Sequence, residues 1–422
     1  MKKYNLIVIG GGLTGVAAAV SAARQGLTVL LAEKSGSLGG AMSNCLVYPF
    51  MPYSAKLKDG TKKTLSKGLF SEMLSRHDKY LNEYTGEHRS WEGHFLTEYF
   101  KIALDEMLIE SGAEVLFHSV LSSVKCENGK LKSVTLTTKS GSMEIESDFF
   151  VDATGDGDLL FLAGCDYQLG RETDNLCQPM TTCFRIANVD YEMFTENHQL
   201  IQDSYKEFKK QGKIKNPREN ILLFHGLGKG LIHLNTTRII KLDPTNPFDI
   251  SKAEIEARKQ IIEMFGFLKQ FEAFNDSFIV SVAADIGVRE SRKLKGEHIL
   301  TADELVKCIK FEDSIALGNY DIDIHNPEGA GTSHYYFKPG EYYSIPYRSL
   351  LPKEYDNLLV GGRCISATHE AQASIRIMPI CATTGEAAGT AAAVAFNTGK
   401  TAKTVDIKQV QALLKKNGAA IE

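Results

Sequence analysis

The 422-residue sequence predicts an α/β protein: a parallel sheet flanked by helices and built from both chain ends, with an α+β unit inserted between them. Three observations predict it. The chain opens on a short apolar run, a glycine-rich turn and an alanine-rich helical stretch, the pattern of a βαβ unit. The same α/β pattern returns after residue 340. From about 170 to 340 the patterning is of another kind, with short β-type pieces around long amphipathic stretches.

Tyr4 to Ile9 fits a strand buried on both faces. Gly10 to Gly15 is the turn, Val16 to Arg24 the helix, and Gly26 its stop. Thr28 to Ala32 is a second strand, closed by Glu33. Phe95 to Glu110 predicts an amphipathic helix with Leu96, Phe100, Ala103, Leu104 and Met107 on one side. Glu114 to Val120 predicts a strand. Asn128-Gly129, between Ser123–Cys126 and Leu131–Thr137, predicts a hairpin. Phe149 to Ala153 predicts another buried strand. In the insert, Ser251-Lys-Ala-Glu254 predicts a capping box opening a helix with Ile255, Ile262, Phe265 and Leu268. Ile221–Phe224 and Phe278–Val282 predict strands. Late in the chain come a strand at Asn357 to Val360, a small-residue helix at Pro379 to Phe396, and a surface helix at Ile407 to Lys416 stopped by Gly418. The division expected is 1–169 with 341–422 as one discontinuous domain, and 170–340 as the insert.

Composition narrows the class. Hydrophobic residues are 43% and charged residues 24%, as in an ordinary globular protein. The net charge of -4 does not favour nucleic acid, whose binders usually carry a basic face, although it leaves room for a local basic patch. No apolar run spans a bilayer, and the N-terminal apolar stretch runs into glycines without a signal-cleavage site, so a cytoplasmic protein is expected. The eight cysteines are scattered without a C-x-x-C pair, which argues against zinc, iron–sulfur and disulfide frameworks. No metal is expected.

The chemistry starts at Gly10-Gly11-Gly12-Leu13-Thr14-Gly15, a G-x-G-x-x-G string. The first glycine permits a tight turn, the second lets backbone approach a pyrophosphate, and the third lets helix and strand pack closely. The helix start at Leu13 and Thr14 offers N–H groups and a partial positive charge to phosphate. Glu33, followed by Lys34, closes the next strand, where an acid binds the ribose 2′-hydroxyl. The unit binds a dinucleotide.

Three further strings separate FAD from NAD. Gly39-Gly40 follows Glu33, Val151-Asp-Ala-Thr-Gly-Asp156 contains an A-T-G-D turn, and Leu358-Leu-Val-Gly-Gly-Arg363 comes late. In order and spacing they resemble the signatures of FAD enzymes of the glutathione-reductase type. Gly287-Val-Arg-Glu-Ser-Arg292, Ile345-Pro-Tyr-Arg-Ser-Leu350 and Gly362-Arg-Cys-Ile-Ser-Ala367 with His369 extend the likeness into the middle. The sequence resembles the bacterial FAD-dependent oxidoreductase family, related to the flavoproteins of fumarate reductase and succinate dehydrogenase. Heterodisulfide-reductase-like flavoproteins fall nearby, but the cysteine cluster that some carry is missing here.

That resemblance implies a Rossmann-like FAD-binding domain, a parallel sheet plus a β-meander, with an inserted substrate or cap domain. Gly10, Gly12, Leu13, Thr14 and Gly15 would hold the pyrophosphate, and Glu33 with Lys34 the adenosine ribose. Gly39, Gly40 and Ser43 would line the path to the flavin, and Val120 would meet the adenine through its backbone. Ala153, Thr154, Gly155 and Asp156 would bound the groove, with Gly362 and Arg363 near the ribityl chain. The helix opening at Met378 and Pro379 would point at the flavin N1–O2 edge. Many relatives have an acid directly after the third-signature glycine; Arg363 stands there instead.

His369 and Arg376 follow that signature. Histidine suits proton transfer near neutral pH, and arginine suits carboxylate binding. In the fumarate-reductase relatives a histidine and an arginine of this region bind substrate carboxylate, at a different spacing. The plain alternatives are a loop cap and a structural ion pair. Arg289 and Arg292 either reach the flavin from the insert or bridge the domains. His334-Tyr335-Tyr336 and Tyr342-Tyr343 either roof a pocket or pack in a core. Cys45 has Phe50, not a cysteine, five residues on, which argues against a dithiol mechanism. Gly226-Leu-Gly-Lys-Gly230 lacks a βαβ context, so no second nucleotide domain is expected. The function implied is an FAD-dependent oxidoreductase exchanging hydride with a small organic substrate. The electron acceptor or donor is left open among the substrate itself, oxygen, a quinone and a partner protein. The alternatives are a flavin-binding redox sensor or assembly subunit without turnover, and a tRNA-modifying flavoprotein, which the acidic balance disfavours.

Overall fold

In the computed structural model, which describes residues 3–225 and 228–422, the opening apolar run forms β1 (Lys3–Ile9) inside a seven-stranded sheet. Gly226 and Leu227 of the second glycine string lie outside the described residues. β2 (Val29–Ala32) lies parallel to β1 on one side, and the second half of Gly141–Asp152 lies parallel on the other. Burial on two faces is why these strands read as continuous apolar runs. Glu114–Leu116 extends the sheet beyond β2, and Leu358–Val360 pairs with Gly141–Asp152, both in parallel. The register aligns Ile9 with Ala32 and Asp152, and Asp152 with Val360. Gly10, Glu33, Ala153 and Gly361 therefore leave the sheet at one edge, the carboxyl ends of its strands, where α/β sheets bind ligands.

The first half of Gly141–Asp152 turns antiparallel to Lys130–Thr138, which pairs with Val120–Glu127. This is the meander. Asn128 and Gly129 have φ of 50° and 70°, as a two-residue hairpin turn requires. The strand expected over 114 to 120 is divided: His118 takes φ 52°, so one strand stops at Leu116 and the next begins at Val120.

Helix α1 (Leu13–Ala23) packs on the helix Met378–Thr398, and glycines set the closeness of the contact. A Cβ on Gly385 would strike the carbonyl of Thr14, and one on Gly389 that of Ala18. Ser21 and Thr390 join hydroxyls across the contact at 2.6 Å.

The middle of the chain makes a second sheet, in the order Leu223–Phe224, Ile232–Leu234, Phe184–Ala187, Phe278–Val282, antiparallel throughout. Phe184, Ile186, Ile232 and Leu234 form a separate core with Phe194 and Ile201 of helix Tyr191–Lys210 and Ile261 and Met264 of helix Pro247–Leu268. Leu294, Ile315 and Ile345 belong instead to the main core.

One expected helix start is corrected. The helix opens at Pro247, capped by Asn246, whose Oδ1 accepts N–H of Phe248 at 2.9 Å and of Asp249 at 3.3 Å. Ser251 lies inside it, donating back to the Pro247 carbonyl at 2.7 Å. Asparagine followed by proline at the first helical position is the stronger start. The face is corrected too: Ile255 and Ile262 are 54% and 65% exposed, while Ala253, Ala257, Ile261 and Met264 are buried. The small alanines let the helix approach its neighbours.

Among the described residues, no helix is long and apolar enough to cross a membrane.

Glu386 ties two parts of this fold. Its Oε2 accepts the Leu69 N–H at 2.9 Å, at the start of helix Leu69–Thr85, whose cap residue Gly68 has no side chain to offer. Its Oε1 is buried without a hydrogen bond. Burial pushes the carboxyl up to about 7 from 4.5. The folded chain thus holds a proton that the unfolded chain releases, and stability falls as pH rises through that window. Glu386→Gln is expected to leave stability nearly unchanged at about pH 4 and to raise it by up to about 3 kcal/mol at about pH 8. Denaturant unfolding at the two pH values checks this; equal effects at both would remove the buried-acid explanation.

Candidate active site

The glycine turn is built for a ligand at the sheet edge. Gly10 has φ 101°, and a Cβ there would lie 2.5 Å from the Ala153 carbonyl oxygen. α1 begins at Leu13, and its cap residue Gly12 has no side chain to occupy the first N–H groups. Gly12 bridges to Gly39, and the Gly39 N–H donates to the Gly11 carbonyl at 2.8 Å. Ser43 Oγ donates to the Gly40 carbonyl at 3.3 Å and steadies the second loop. A Cβ on Gly40 would come within 3.0 Å of Gly12 Cα, whereas one on Gly12 would meet nothing nearer than 4.0 Å. Space therefore stays open over Gly12, in front of a helix N-terminus. A dinucleotide pyrophosphate fits that cradle.

Glu33 is buried at the end of β2. It accepts N–H of Gly11 at 2.5 Å and both N–H and Oγ–H of Ser35, at 2.8 and 2.7 Å. The Ser119 N–H donates to the Glu33 carbonyl at 3.0 Å, which brings the exposed Val120 to the same edge. Burial alone would lower the exposed Lys34; the carboxylates of Asp156, Asp285, Asp158 and Glu33 outweigh it and hold the ammonium above its ordinary value.

Asp152, fully buried, ties that turn. It accepts Thr154 N–H at 3.0 Å, Thr154 Oγ1–H at 2.7 Å and Leu160 N–H at 2.9 Å, and burial pushes its carboxyl up to about 6. Gly155 has φ 78°, and its absent side chain leaves room for Arg363. Arg363 pairs with Asp156 at 2.8 Å and donates to the Val288 carbonyl at 2.5 Å. Ser291 Oγ adds a 2.6 Å bond to Asp156. Arg363, at the position where the resemblance leads one to expect an acid, thus has an acid of the second signature as its partner. Gly362, at φ 76°, sits on Thr14, leaving no space for a Cβ, and its N–H donates to Thr384 Oγ1 at 3.0 Å. Thr14 Oγ1 donates to the Cys381 carbonyl at 3.1 Å. Met378 opens its helix after Ile377, which supplies no capping side chain. Two uncapped helix N-termini therefore meet through Thr14.

The three candidate catalytic residues surround the hairpin of Ile322–His325 and Thr332–Tyr335. Arg376 Nη2 lies 3.5 Å from Asp323 Oδ2, and its Nε has no partner. Arg289 donates to the Pro179 carbonyl at 2.6 Å and Thr181 Oγ1 at 2.5 Å; burial pushes it down to about 9, with Arg376 and Arg218 adding to the effect. His369 stands one helix away, at the start of His369–Ile375, with Arg376 as its C-cap. Its Nδ1 lies 2.8 Å from Glu290 Oε2 and 2.9 Å from Oε1, and Lys293 pairs with Oε1 at 2.5 Å, Glu290 and Lys293 both being fully buried. Burial alone would raise Glu290, but His369 and Lys293 hold it below the ordinary carboxylate value. His369 lines a groove of about 480 Å³ with Glu370, Arg171 and Thr332.

Sequence reasoning passed over Asp323 and His325. Asp323 accepts from Tyr320 at 2.8 Å and meets His325 Nε2 at 3.3 Å, while His325 Nδ1 meets Thr332 Oγ1 at 3.1 Å. Burial, then Arg289, pushes His325 down to about 3, so its ring is neutral. Thr332 thus joins the His369 groove to the arginine cluster. An Asp-x-His on a short strand carries no signal until the fold sets it beside Arg376. Arg292 pairs with Asp158 at 3.0 Å and bridges the sheet edge to its own strand. The aromatic string divides: Tyr343 is buried and bonded to Ser374 at 2.6 Å, while Tyr336 is exposed.

A parallel sheet whose carboxyl edge holds two helix N-termini, a glycine cradle and a buried acid after β2 is a dinucleotide-binding α/β protein of the Rossmann type. The chain belongs to the FAD dependent oxidoreductase family, whose model matches residues 5–414, and its cofactor is FAD. Comparison with curated proteins finds no match. Among solved structures it is similar to a geranylgeranyl bacteriochlorophyll reductase-like protein from Thermoplasma acidophilum, at 13% identity and TM-score 0.45, over 99% of this chain and 85% of that one. It is also similar to p-nitrophenol 4-monooxygenase from Pseudomonas putida, at 10% identity and TM-score 0.46, over 100% of this chain and 88% of that one. A third is the flavin-dependent brominase Bmp2, at 11% identity and TM-score 0.47, over 97% and 83%.

Gly12→Ala tests the cradle. Its backbone φ of -65° suits alanine and the fold has room for the methyl. The expected outcome is an unchanged melting temperature without cofactor and an FAD affinity lower by at least about tenfold. Unchanged affinity in an FAD titration would show that the pyrophosphate does not approach Gly12.

Proposed function

We propose that the protein exchanges a hydride between a small organic substrate and its FAD, in the cleft that Arg289, Arg376 and the Asp323–His325 pair line. The observation that carries this reading is the meeting of guanidiniums and a histidine–carboxylate pair close to Val288, whose carbonyl accepts from Arg363. When bound, FAD supplies the two-electron chemistry, and the protein supplies orientation and the proton. Gly10, Gly12, Leu13, Thr14 and Gly15 hold the pyrophosphate, with Glu33 and Lys34 at the ribose and Val120 at the adenine. Gly39, Gly40, Ser43, Ala153, Thr154, Gly155, Asp156, Gly362, Arg363 and Met378 line the rest of the groove. Arg289 and Arg376 orient substrate.

His369 holds or moves the proton. Glu290 is ionised and accepts from Nδ1, which leaves Nε2 as the atom that takes or gives a proton in the groove. The Phe184–Val282 sheet and its two helices act as the cap, within an insert spanning 170–340; 1–169 and 341–422 make the FAD-binding part. Electrons pass onward to oxygen, a quinone or a partner protein when the substrate supplies them.

The test begins with the visible spectrum of the purified protein and the identity of the released cofactor, followed by anaerobic bleaching with a panel of acids, alcohols and amines. His369→Asn is expected to keep FAD and to lower turnover about 100-fold with whichever donor bleaches the flavin. Loss of flavin together with activity would make His369 structural. Bound FAD that no donor or acceptor turns over would favour a redox sensor or assembly subunit.

A further inference from the structure

Protons in the wall of the His369 groove are assigned by the groups that stand behind it. Asp323 comes first. Burial alone would raise its carboxyl, but His325, Arg376 and Tyr320 outweigh that and hold it well below the ordinary carboxylate range. A carboxylate has no hydrogen to give, so His325 Nε2, 3.3 Å away, is the ring's N–H. Burial, then Arg289, keeps the His325 ring neutral, which leaves a lone pair on Nδ1. Thr332 Oγ1 lies 3.1 Å from Nδ1 and donates its hydrogen there. Thr332 lines the groove, and what its hydroxyl keeps for a ligand is an acceptor.

His369 is fixed in the same way. Glu290 accepts from Lys293 at 2.5 Å and from the Gln178 N–H at 3.0 Å, and it lies 2.8 Å from His369 Nδ1. That nitrogen is therefore the N–H. Nε2 has no partner among the described residues, although only 4% of the side chain is exposed. Glu370, the next residue, lines the same cavity of about 480 Å³ and makes no hydrogen bond or ion pair among the described residues. The cation and the amide of the groove are spent. Arg171 is held by Asp174 at 2.6 Å and by Glu328 at 3.0 Å. Asn326 donates to the Ala330 carbonyl and accepts the Glu328 N–H, both at 3.0 Å. Three acceptors remain, from Thr332, His369 and Glu370, beside a guanidinium that two carboxylates already balance.

We propose that the substrate presents an amine, bound as its ammonium, to Thr332 Oγ1, the Glu370 carboxylate and His369 Nε2. The inference rests on the reading of this groove and the adjoining arginine cleft as the substrate site of an FAD enzyme, and it names the substrate class. An ammonium brings N–H donors and a positive charge to three acceptors, one of them ionised. A carboxylate or a ketone would set acceptors against acceptors, and an alcohol brings one donor without charge. Nε2 takes one N–H proton of the bound ammonium; the electron pair of that bond stays on the amine nitrogen, and the imidazole becomes imidazolium against Glu290.

The FAD-loaded protein is titrated with benzylamine and hexylamine, with benzyl alcohol and hexanol, and with benzyl methyl ether and hexanenitrile. Binding is followed by the flavin difference spectrum and by the melting temperature. The amines are expected to bind at least about tenfold more tightly than the alcohols, and the ether and nitrile more weakly still. Glu370→Gln and Thr332→Val, each with FAD retained, are expected to weaken amine binding about tenfold and to leave the ether and nitrile unchanged. Thr332 also bonds His325, so Glu370→Gln decides the matter if Thr332→Val does not fold. Alcohols binding as well as amines, amine affinity unchanged in Glu370→Gln, or a yellow protein that responds to none of the six compounds would overturn the proposal and leave FAD binding standing. Amines that bind as expected while no donor bleaches the flavin would support the preference of the groove and overturn the hydride reading instead. A protein colourless after FAD loading would overturn both.

Discussion

The site depends on one contact: Thr14, at the start of α1, against the glycine backbone of Gly361, Gly362 and Gly385. A side chain at any of the three glycines would strike Thr14. Because none is present, the N-termini of α1 and of Met378–Thr398 come together at the edge where β1 and Leu358–Val360 end. Residues more than three hundred positions apart then share one groove. The Thr14 hydroxyl bond to the Cys381 carbonyl holds the two helices in register. Packing that close is available to glycine and alanine alone, which is why both helices are so poor in large side chains.

Charge in the groove follows from that geometry. Asp156 and Arg363 come from different signatures and meet across Gly155. Asp152 lies beneath, spent on the backbone of its own turn.

The arrangement also separates proton handling from charge recognition. His369 is backed by a buried Glu290–Lys293 pair and opens onto one groove, whereas Arg289 and Arg376 gather around Asp323. Thr332 and His325 connect them through a hairpin, with both ring nitrogens of His325 engaged. An imidazole so committed positions its neighbours; in the proposed function it is His369 that carries the proton.

The amino-acid sequence alone determined the βαβ unit, the hairpin at Asn128-Gly129, the FAD signatures and the family, because each is a local pattern: glycines where φ is positive or backbones touch, and apolar runs where a strand is covered twice. It also singled out His369, Arg376 and Arg289 by residue type and by position after a signature. The tertiary structure alone decided what those side chains face. Asp323 and His325 give no local signal, since an acid or a histidine on a short strand reads the same in a core or a site. The helix opening at Pro247 was misread because alanines conceal a buried face that larger residues would mark. The pairing of Asp156 with Arg363 is likewise invisible in one dimension. It depends on which carboxylates lie near and which are already taken, and only the packed chain assigns partners.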